Sequence, residues 1–227
     1  MHIPDGYLSP QTYVPLYAAF AGFIGVALKK VRQTLSAKNI PYLGMAAAFS
    51  FLIMMFNVPI PGGTTGHAVG AAIVALVLGP WTAVVAVSVA LIIQAFLFGD
   101  GGITAIGANC FNMAVVMPFA ALLVFRLVRG KIAAGWRVHL ASFLAGYISL
   151  VVAAVVTAVE FGIQPLIASA DGKPLYAPYG LEIALPAMVI EHMVLFGIIE
   201  GLVTMLVLMY FIKNDRESVY ALQEVKR

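Results

Sequence analysis

Charged side chains are scarce in this sequence: Asp, Glu, Lys and Arg make up only 10% of its 227 residues. A soluble domain carries about a quarter charged residues, and 62% of this chain is hydrophobic, so a soluble domain is excluded. The single cysteine, Cys110, excludes an internal disulfide framework. We therefore expect an integral membrane protein.

Several enzyme signatures are also missing. No G-x-x-x-x-G-K-[ST] loop occurs, so the chain is not expected to hydrolyse ATP itself. No H-E-x-x-H or G-x-S-x-G pattern occurs, which leaves an intramembrane hydrolase without support. No basic stripe lies outside the loops between apolar stretches, so nucleic acid is not an expected partner.

Apolar stretches of helical length recur along the chain and are separated by Gly, Pro and charged residues. The stretches are 12–28, 40–58, 65–79, 81–98, 103–128, 138–159 and 185–212. They predict an all-α, polytopic bundle of about seven transmembrane helices. The third stretch is short for a bilayer of roughly 30 Å, so a re-entrant or buried half-span is the alternative there.

The basic residues cluster in three polar segments that follow the first, fifth and seventh stretches. All but one of the 13 Lys and Arg residues lie there: Lys29, Lys30, Arg32, Lys38, Arg126, Arg129, Lys131, Arg137, Lys213, Arg216, Lys226 and Arg227. The positive-inside rule then predicts an outside N-terminus and a cytoplasmic C-terminus. The expected organisation is an extracellular, metal-chelating segment (1–11), a transmembrane bundle (12–212) and a cytoplasmic tail (213–227).

The chain opens MHIPDGYLSP, a polar decapeptide with histidine in the second position and no features of a secretory signal peptide. If Met1 is retained, its α-amine, the His2 backbone nitrogen and His2 Nδ1 can close two adjoining chelate rings on one metal ion. These three nitrogens lie in a plane, which favours square-planar Ni²⁺ or Cu²⁺ over tetrahedral Zn²⁺. Metal binding there has to release protons.

His67 is the candidate for the fourth position of such a plane. It follows a Pro- and Gly-rich break, PIPGGTTG, and this break places it on the same membrane face as the N-terminus. Broken backbone at membrane depth is tolerated where it is buried in protein or lines a cavity. A helix-capping or merely packed histidine is the alternative reading.

Other polar groups lie at membrane depth or close to the outer face. Asp5, Thr65, Asn109 and Asn112 are candidates to surround and orient the ligands, and interhelical hydrogen bonding is the alternative for the two asparagines. Glu191, His192 and Glu200 lie in the last stretch. Ionisable residues at this depth suggest function, and their role is left open.

Three blocks of this sequence resemble the substrate-specific components of energy-coupling-factor transporters for nickel and cobalt, the NikM/CbiM family. The blocks are MHIPDGYLSP, GHAVGAAIVALVLGPW and QAFLFGDGGITAIGANCFNMA. The similarity covers nearly the whole chain, and the GDGG and GAN blocks resemble the nickel branch more than the cobalt branch. The resemblance implies that Met1, His2 and His67 hold the metal ion in a plane.

The same resemblance implies partners for this chain. They are a transmembrane coupling (T) component, paired cytoplasmic ABC-type ATPases and often a small additional membrane subunit. We therefore expect a multi-pass protein of a prokaryotic cytoplasmic membrane that captures Ni²⁺ or Co²⁺ as a transported substrate. A secondary, proton-coupled divalent metal transporter that acts without an ATPase is the alternative.

Overall fold

Seven principal helices organise the computed structural model, which describes residues 1–34, 40–60, 64–132 and 134–223. They are α1 (Pro10–Thr34), α2 (Ile40–Met54), α3 (Ala71–Leu78), α4 (Pro80–Phe98), α5 (Ile106–Arg129), α6 (Trp136–Gly162) and α7 (Leu181–Asn214). Each predicted stretch overlaps one of these helices, and the expected all-α membrane bundle is confirmed. Lys38, Lys226, Arg227 and residues 61–63 of the predicted break lie outside the described residues.

Strands are confined to two short antiparallel hairpins within the described ranges. One pairs Val58–Ile60 with Thr64–Gly66, and the other pairs Ser169–Ala170 with Lys173–Pro174. The first hairpin occupies most of the break before His67, where the sequence predicted interrupted helix. Extended pairing there satisfies main-chain groups that a helix would otherwise have paired.

Five helices of the described chain are long and apolar enough to cross a membrane: α1, α4, α5, α6 with its continuation to Ile167, and α7. Helix α2 has 15 residues. Helix α3 has only eight, which at 1.5 Å per residue is about 12 Å, well short of the bilayer core. The buried half-span is therefore the better description of the third stretch. The count of seven crossings and the orientation of the termini stay predictions.

Helix α3 lies inside the bundle and contacts α4, α5 and α7. Every residue from Ala71 to Val77 is buried. Its first turn is closed by the Glu200 carboxylate of α7, which accepts hydrogen bonds from Val69 N (2.8 Å) and Gly70 N (3.0 Å). An anion at this end satisfies free N–H groups and complements the helix dipole. Helix α3 and the residues just before it are thus held by the last helix.

Three of the long helices contain a π-helical segment. The segments are Gln94–Phe98 at the end of α4, Cys110–Val116 within α5 and His192–Phe196 within α7. Such widened turns are rare and occur frequently at functional sites. Here they carry or adjoin polar side chains that the bundle buries, among them Gln94, Asn112 and His192.

The segment after α7 packs back onto the bundle in its described part, up to Gln223. Val219, Ala221 and Leu222 are buried, and the Tyr220 ring lies against Gly79, within 3.3 Å of where a Cβ would be. Gly79 joins α3 to α4 in a left-handed conformation (φ 90°). This contact positions the C-terminal end of α3, whereas Glu200 caps its N-terminal end.

Candidate metal centre

The first three residues of the chain are buried inside the bundle rather than exposed at its surface. Ile3 N donates to Asn109 Oδ1 (2.8 Å), and Asn109 Nδ2 donates back to Ile3 O (3.2 Å). Gly102 N also donates to Ile3 O (2.8 Å). Both main-chain polar groups of Ile3 are therefore satisfied by the beginning of α5 and the loop before it.

Residues 5–9 continue the contacts of the N-terminal segment with the bundle. Asp5 accepts hydrogen bonds from Thr104 N (2.8 Å), Ile103 N (3.1 Å) and the Thr104 hydroxyl. The hydrogen bond from the Thr104 hydroxyl is the main reason that the pKa of Asp5 is lowered. Farther along, Ser9 N donates to Gln164 Oε1 (2.9 Å). The carboxylate of Asp5 thus anchors the segment through Ile103 and Thr104.

The α-amine of Met1 is buried and donates a hydrogen bond to the Thr65 carbonyl. Burial lowers the pKa of this amine from 8.0 to about 4, although the nearby carboxylates of Asp100 and Glu191 act in the opposite direction. The amine is therefore neutral at pH 7, as a metal ligand has to be. Thr65 contacts Met1 through its main chain, not through its hydroxyl.

His2 lies directly against His67, with ring centroids 4.5 Å apart and ring planes 27° from parallel. His2 Nδ1 also lies 3.3 Å from Asp100 Oδ1, and the side chain of Gln94 interacts with the same ring. Burial lowers the pKa of His2 to about 3, with the adjacent amino terminus contributing. The imidazole is therefore uncharged at neutral pH and able to bind a cation.

His67 has one ring nitrogen engaged and one available. Its Nδ1 lies 3.0 Å from the Ala68 carbonyl, and because a carbonyl can only accept, Nδ1 carries the proton. His67 Nε2 is buried and has no hydrogen-bond partner among the described residues. This arrangement, with Nδ1–H on a carbonyl and a bare Nε2, is the usual one for a metal-binding histidine.

The four nitrogen donors expected from the sequence are thus gathered in one buried place. Within the described ranges no group of three His, Cys, Asp or Glu side chains could hold a metal ion, so binding here requires main-chain nitrogens as well. The two rings are stacked, and an imidazole donates in its own plane. One ring therefore has to turn, and His2 Nδ1 has to leave Asp100, before both bind the same ion.

The two candidate asparagines have different positions. Asn109 holds the N-terminal segment, whereas Asn112 Nδ2 donates to Glu160 Oε2 (2.8 Å) and Thr157 Oγ1 (3.1 Å) of α6. Asn112 therefore forms the interhelical bonds that were the alternative. The π-helical segment beginning at Cys110 accounts for this difference, because residues three apart do not share a face in its wider turn.

Gln94, Asp100 and Gly102 contact the N-terminal segment but were not predicted to do so. The sequence carried a partial signal for Asp100 and Gly102, because GDGG (99–102) stands out as a Gly-rich break between two apolar stretches. A Cβ on Gly102 would lie 2.6 Å from Asp5 Oδ1 and 2.7 Å from Pro4 C. Only glycine leaves room for the segment at this position.

Comparison with protein families matches residues 2–218 to CbiM, described as the cobalt uptake substrate-specific transmembrane region. The fused nickel transport protein NikMN of Rhodobacter capsulatus is 53% identical over 206 residues, which cover 90% of this chain and 59% of that protein. The probable fused nickel transport protein LarMN of Lactiplantibacillus plantarum is 47% identical over 226 residues, covering 97% of this chain and 67% of that protein. This chain thus spans less than two thirds of the length of the NikMN relative.

A solved structure is also similar over almost the whole chain. It is described as the crystal structure of a transition metal transporter, with a TM-score of 0.90 and 49% sequence identity. The alignment covers 95% of this chain and 94% of that one. At this identity the similarity extends to sequence as well as to fold.

Proposed function

The chain belongs to the CbiM family of cobalt uptake substrate-specific transmembrane regions, and we propose that it captures Ni²⁺ or Co²⁺ for an ATP-driven, energy-coupling-factor importer. The observation that carries this proposal is the burial of the Met1 amine and His2 against His67. A chain terminus carries a charge in water, and burying it without a purpose is costly. A cation bound by the neutral amine would account for that cost.

In the loaded state, the metal ion is held by the Met1 amine, the His2 main-chain nitrogen, His2 Nδ1 and His67 Nε2. Four nitrogens in a plane favour Ni²⁺, in agreement with the names of the nickel transport relatives, while Co²⁺ is also accommodated. Asn109 and Asp5 keep the N-terminal segment docked, so that three ligands arrive together. Their joint arrival lowers the entropic cost of assembling the site.

Release into the cell requires the plane to be opened. The ligands belong to two bodies, since Met1 and His2 lie on the N-terminal segment and His67 lies on the approach to α3. We propose that a coupling component in the membrane, driven by cytoplasmic ATPases, moves these bodies apart. The membrane is then the cytoplasmic membrane of a prokaryote, with the segment on its outer side.

The test is to add one alanine before Met1. This moves the amine by one peptide unit while leaving every side chain in place, so Ni²⁺ binding should fall by at least about 100-fold if the amine is a ligand. Binding is measured by equilibrium dialysis on the purified full chain, after mass spectrometry has verified its N-terminus. His67→Ala should give a comparable loss, and His139→Ala, at an exposed position, should give none. Unchanged affinity in the extended chain would refute the proposal.

The alternative of a secondary, proton-coupled transporter has less support. Its proton relay would use Glu191, His192 and Glu200, and both oxygens of Glu200 are occupied by main-chain N–H groups. Proteoliposomes containing only this chain discriminate the two functions. Uptake driven by a pH gradient without any ATPase would favour the alternative.

A further inference from the structure

His192 is a buried histidine in the π-helical segment of α7 that the proposed metal plane does not use. Its Nδ1 lies 2.7 Å from the Met188 carbonyl and therefore donates to it. Its Nε2 is consequently a bare acceptor. No donor reaches Nε2 from the part of the chain that the structure describes. His192 thus has the same hydrogen-bonding pattern as His67.

The surroundings of His192 place it next to the candidate metal centre. Its ring lies within electrostatic range of the Met1 amine and of His67. The π-helical segment and the residue before it also pack on Gly66, which precedes His67, because a Cβ on Gly66 would lie 2.6 Å from Phe196 Cδ2 and 3.1 Å from Glu191 Oε1. A buried lone pair without a donor is unfavourable unless it serves as a ligand.

Square-planar ions exchange ligands by an associative route, in which an entering ligand binds above the plane before a resident one leaves. Water reaches a buried site poorly, so the protein has to supply that entering ligand. We propose that His192 Nε2 is the entering ligand through which the metal ion passes into and out of the nitrogen plane. This inference rests on the proposed function and adds a kinetic role to it.

The exchange balances without any redox change. On release, the bond from the ion to His192 Nε2 forms while the bond to the Met1 amine breaks, and the charge on the metal is constant. As the segment leaves, the main-chain nitrogen of His2 takes up one proton from water. His67 and His192 belong to the body of the bundle, so both stay with the ion after Met1 and His2 have withdrawn.

The proposal makes a kinetic prediction that a packing role does not share. A residue that binds the ion only in passing changes the rates in both directions and leaves the equilibrium unchanged. His192→Phe should therefore slow Ni²⁺ capture and chelator-induced Ni²⁺ release by the same factor, about tenfold or more, with the dissociation constant unaltered. Both rates are measured by stopped flow on the full purified chain, with EDTA as the chelator. His139→Phe, the same substitution at an exposed histidine, is the matched control.

A second variant guards against misfolding of the first. His192→Ala should show the same slow rates, and added imidazole should restore them by occupying the space left by the side chain. Unchanged rates in both variants would overturn the proposal, and so would a higher dissociation constant with unaltered capture, which would make His192 a resident ligand. Failure of the wild-type chain to bind Ni²⁺ is a separate result, and it would overturn the proposed function instead.

Discussion

Substitution of Gly102 by alanine tests whether docking of the N-terminal segment controls metal affinity. The new methyl group would lie 2.7 Å from Pro4 C and 2.6 Å from Asp5 Oδ1, and it would also meet Asp5 N. Ordinary van der Waals contact begins near 3.4 Å, so the segment has to move by at least about 0.7 Å, the difference between 3.4 Å and the 2.7 Å to Pro4 C.

The size of the effect follows from that displacement. The hydrogen bond from Gly102 N to Ile3 O, now 2.8 Å, would lengthen to about 3.5 Å and lose most of its strength, about 1 kcal/mol. Overpacking costs about 1–3 kcal/mol more. Together these terms amount to about 2–4 kcal/mol, equivalent to at least about a 30-fold weaker binding of Ni²⁺.

The assay is isothermal titration of Ni²⁺ into the purified variants. Gly22→Ala is the matched control, because it adds the same methyl group in helix α1, where nothing lies within 4 Å. The control should bind as the wild-type chain does. Equal affinities for Gly102→Ala and Gly22→Ala would refute the reasoning that the segment delivers the ligands.

Four further outcomes are expected. Burial lowers the pKa of the Met1 amine to about 4 and that of His2 to about 3, so at pH 7 only the His2 main-chain nitrogen still has a proton to lose. Ni²⁺ binding should therefore release about one proton, whereas an exposed terminus would release about two. Titrations in buffers of different ionisation enthalpy measure the number of protons released. The undocked segment binds more protons between pH 8 and 4, so docking should weaken as pH falls through this range, which amine-labelling rates at Met1 would follow. Glu200→Gln should weaken Ni²⁺ binding about tenfold by disturbing the approach to α3, whereas Glu160→Gln, a buried glutamate on α6, should not, as dialysis would reveal. Asn109→Ala should cost about 2 kcal/mol, or about 30-fold in affinity, by leaving the buried Ile3 N–H unpaired and removing one of the two hydrogen bonds to Ile3 O, and an unaffected dissociation constant would contradict that role.

The helices were predictable because membrane helices are dictated by local composition. Each of the seven apolar stretches overlaps a principal helix, and the shortness of the third stretch was visible as well. The hairpin around Thr65 was not predicted. Its strands are short, and their pairing depends on packing against the rest of the bundle. A local sequence pattern does not contain that information.

The candidate site was predictable where chemistry alone points to a residue. Met1, His2 and His67 were predicted as nitrogen donors, and the structure brings them together. The positions of the residues around these three depend instead on turn geometry. The π-helical segment in α5 turned Asn112 towards Glu160, and the contact of Gly102 with the segment joins residues about a hundred positions apart. Neither feature has a local signature in the sequence.

The cap on helix α3 has a consequence for how the protein is made. Val69 and Gly70 depend on Glu200, which lies 131 residues after Val69 in the sequence. During synthesis, the eight-residue helix is too short to enter the bilayer by itself, and its first N–H groups lack an acceptor until the last span has been inserted. Under the proposed function, metal capture therefore has to wait until α7 has been made, and a chain truncated before α7 should reach the membrane unable to bind nickel.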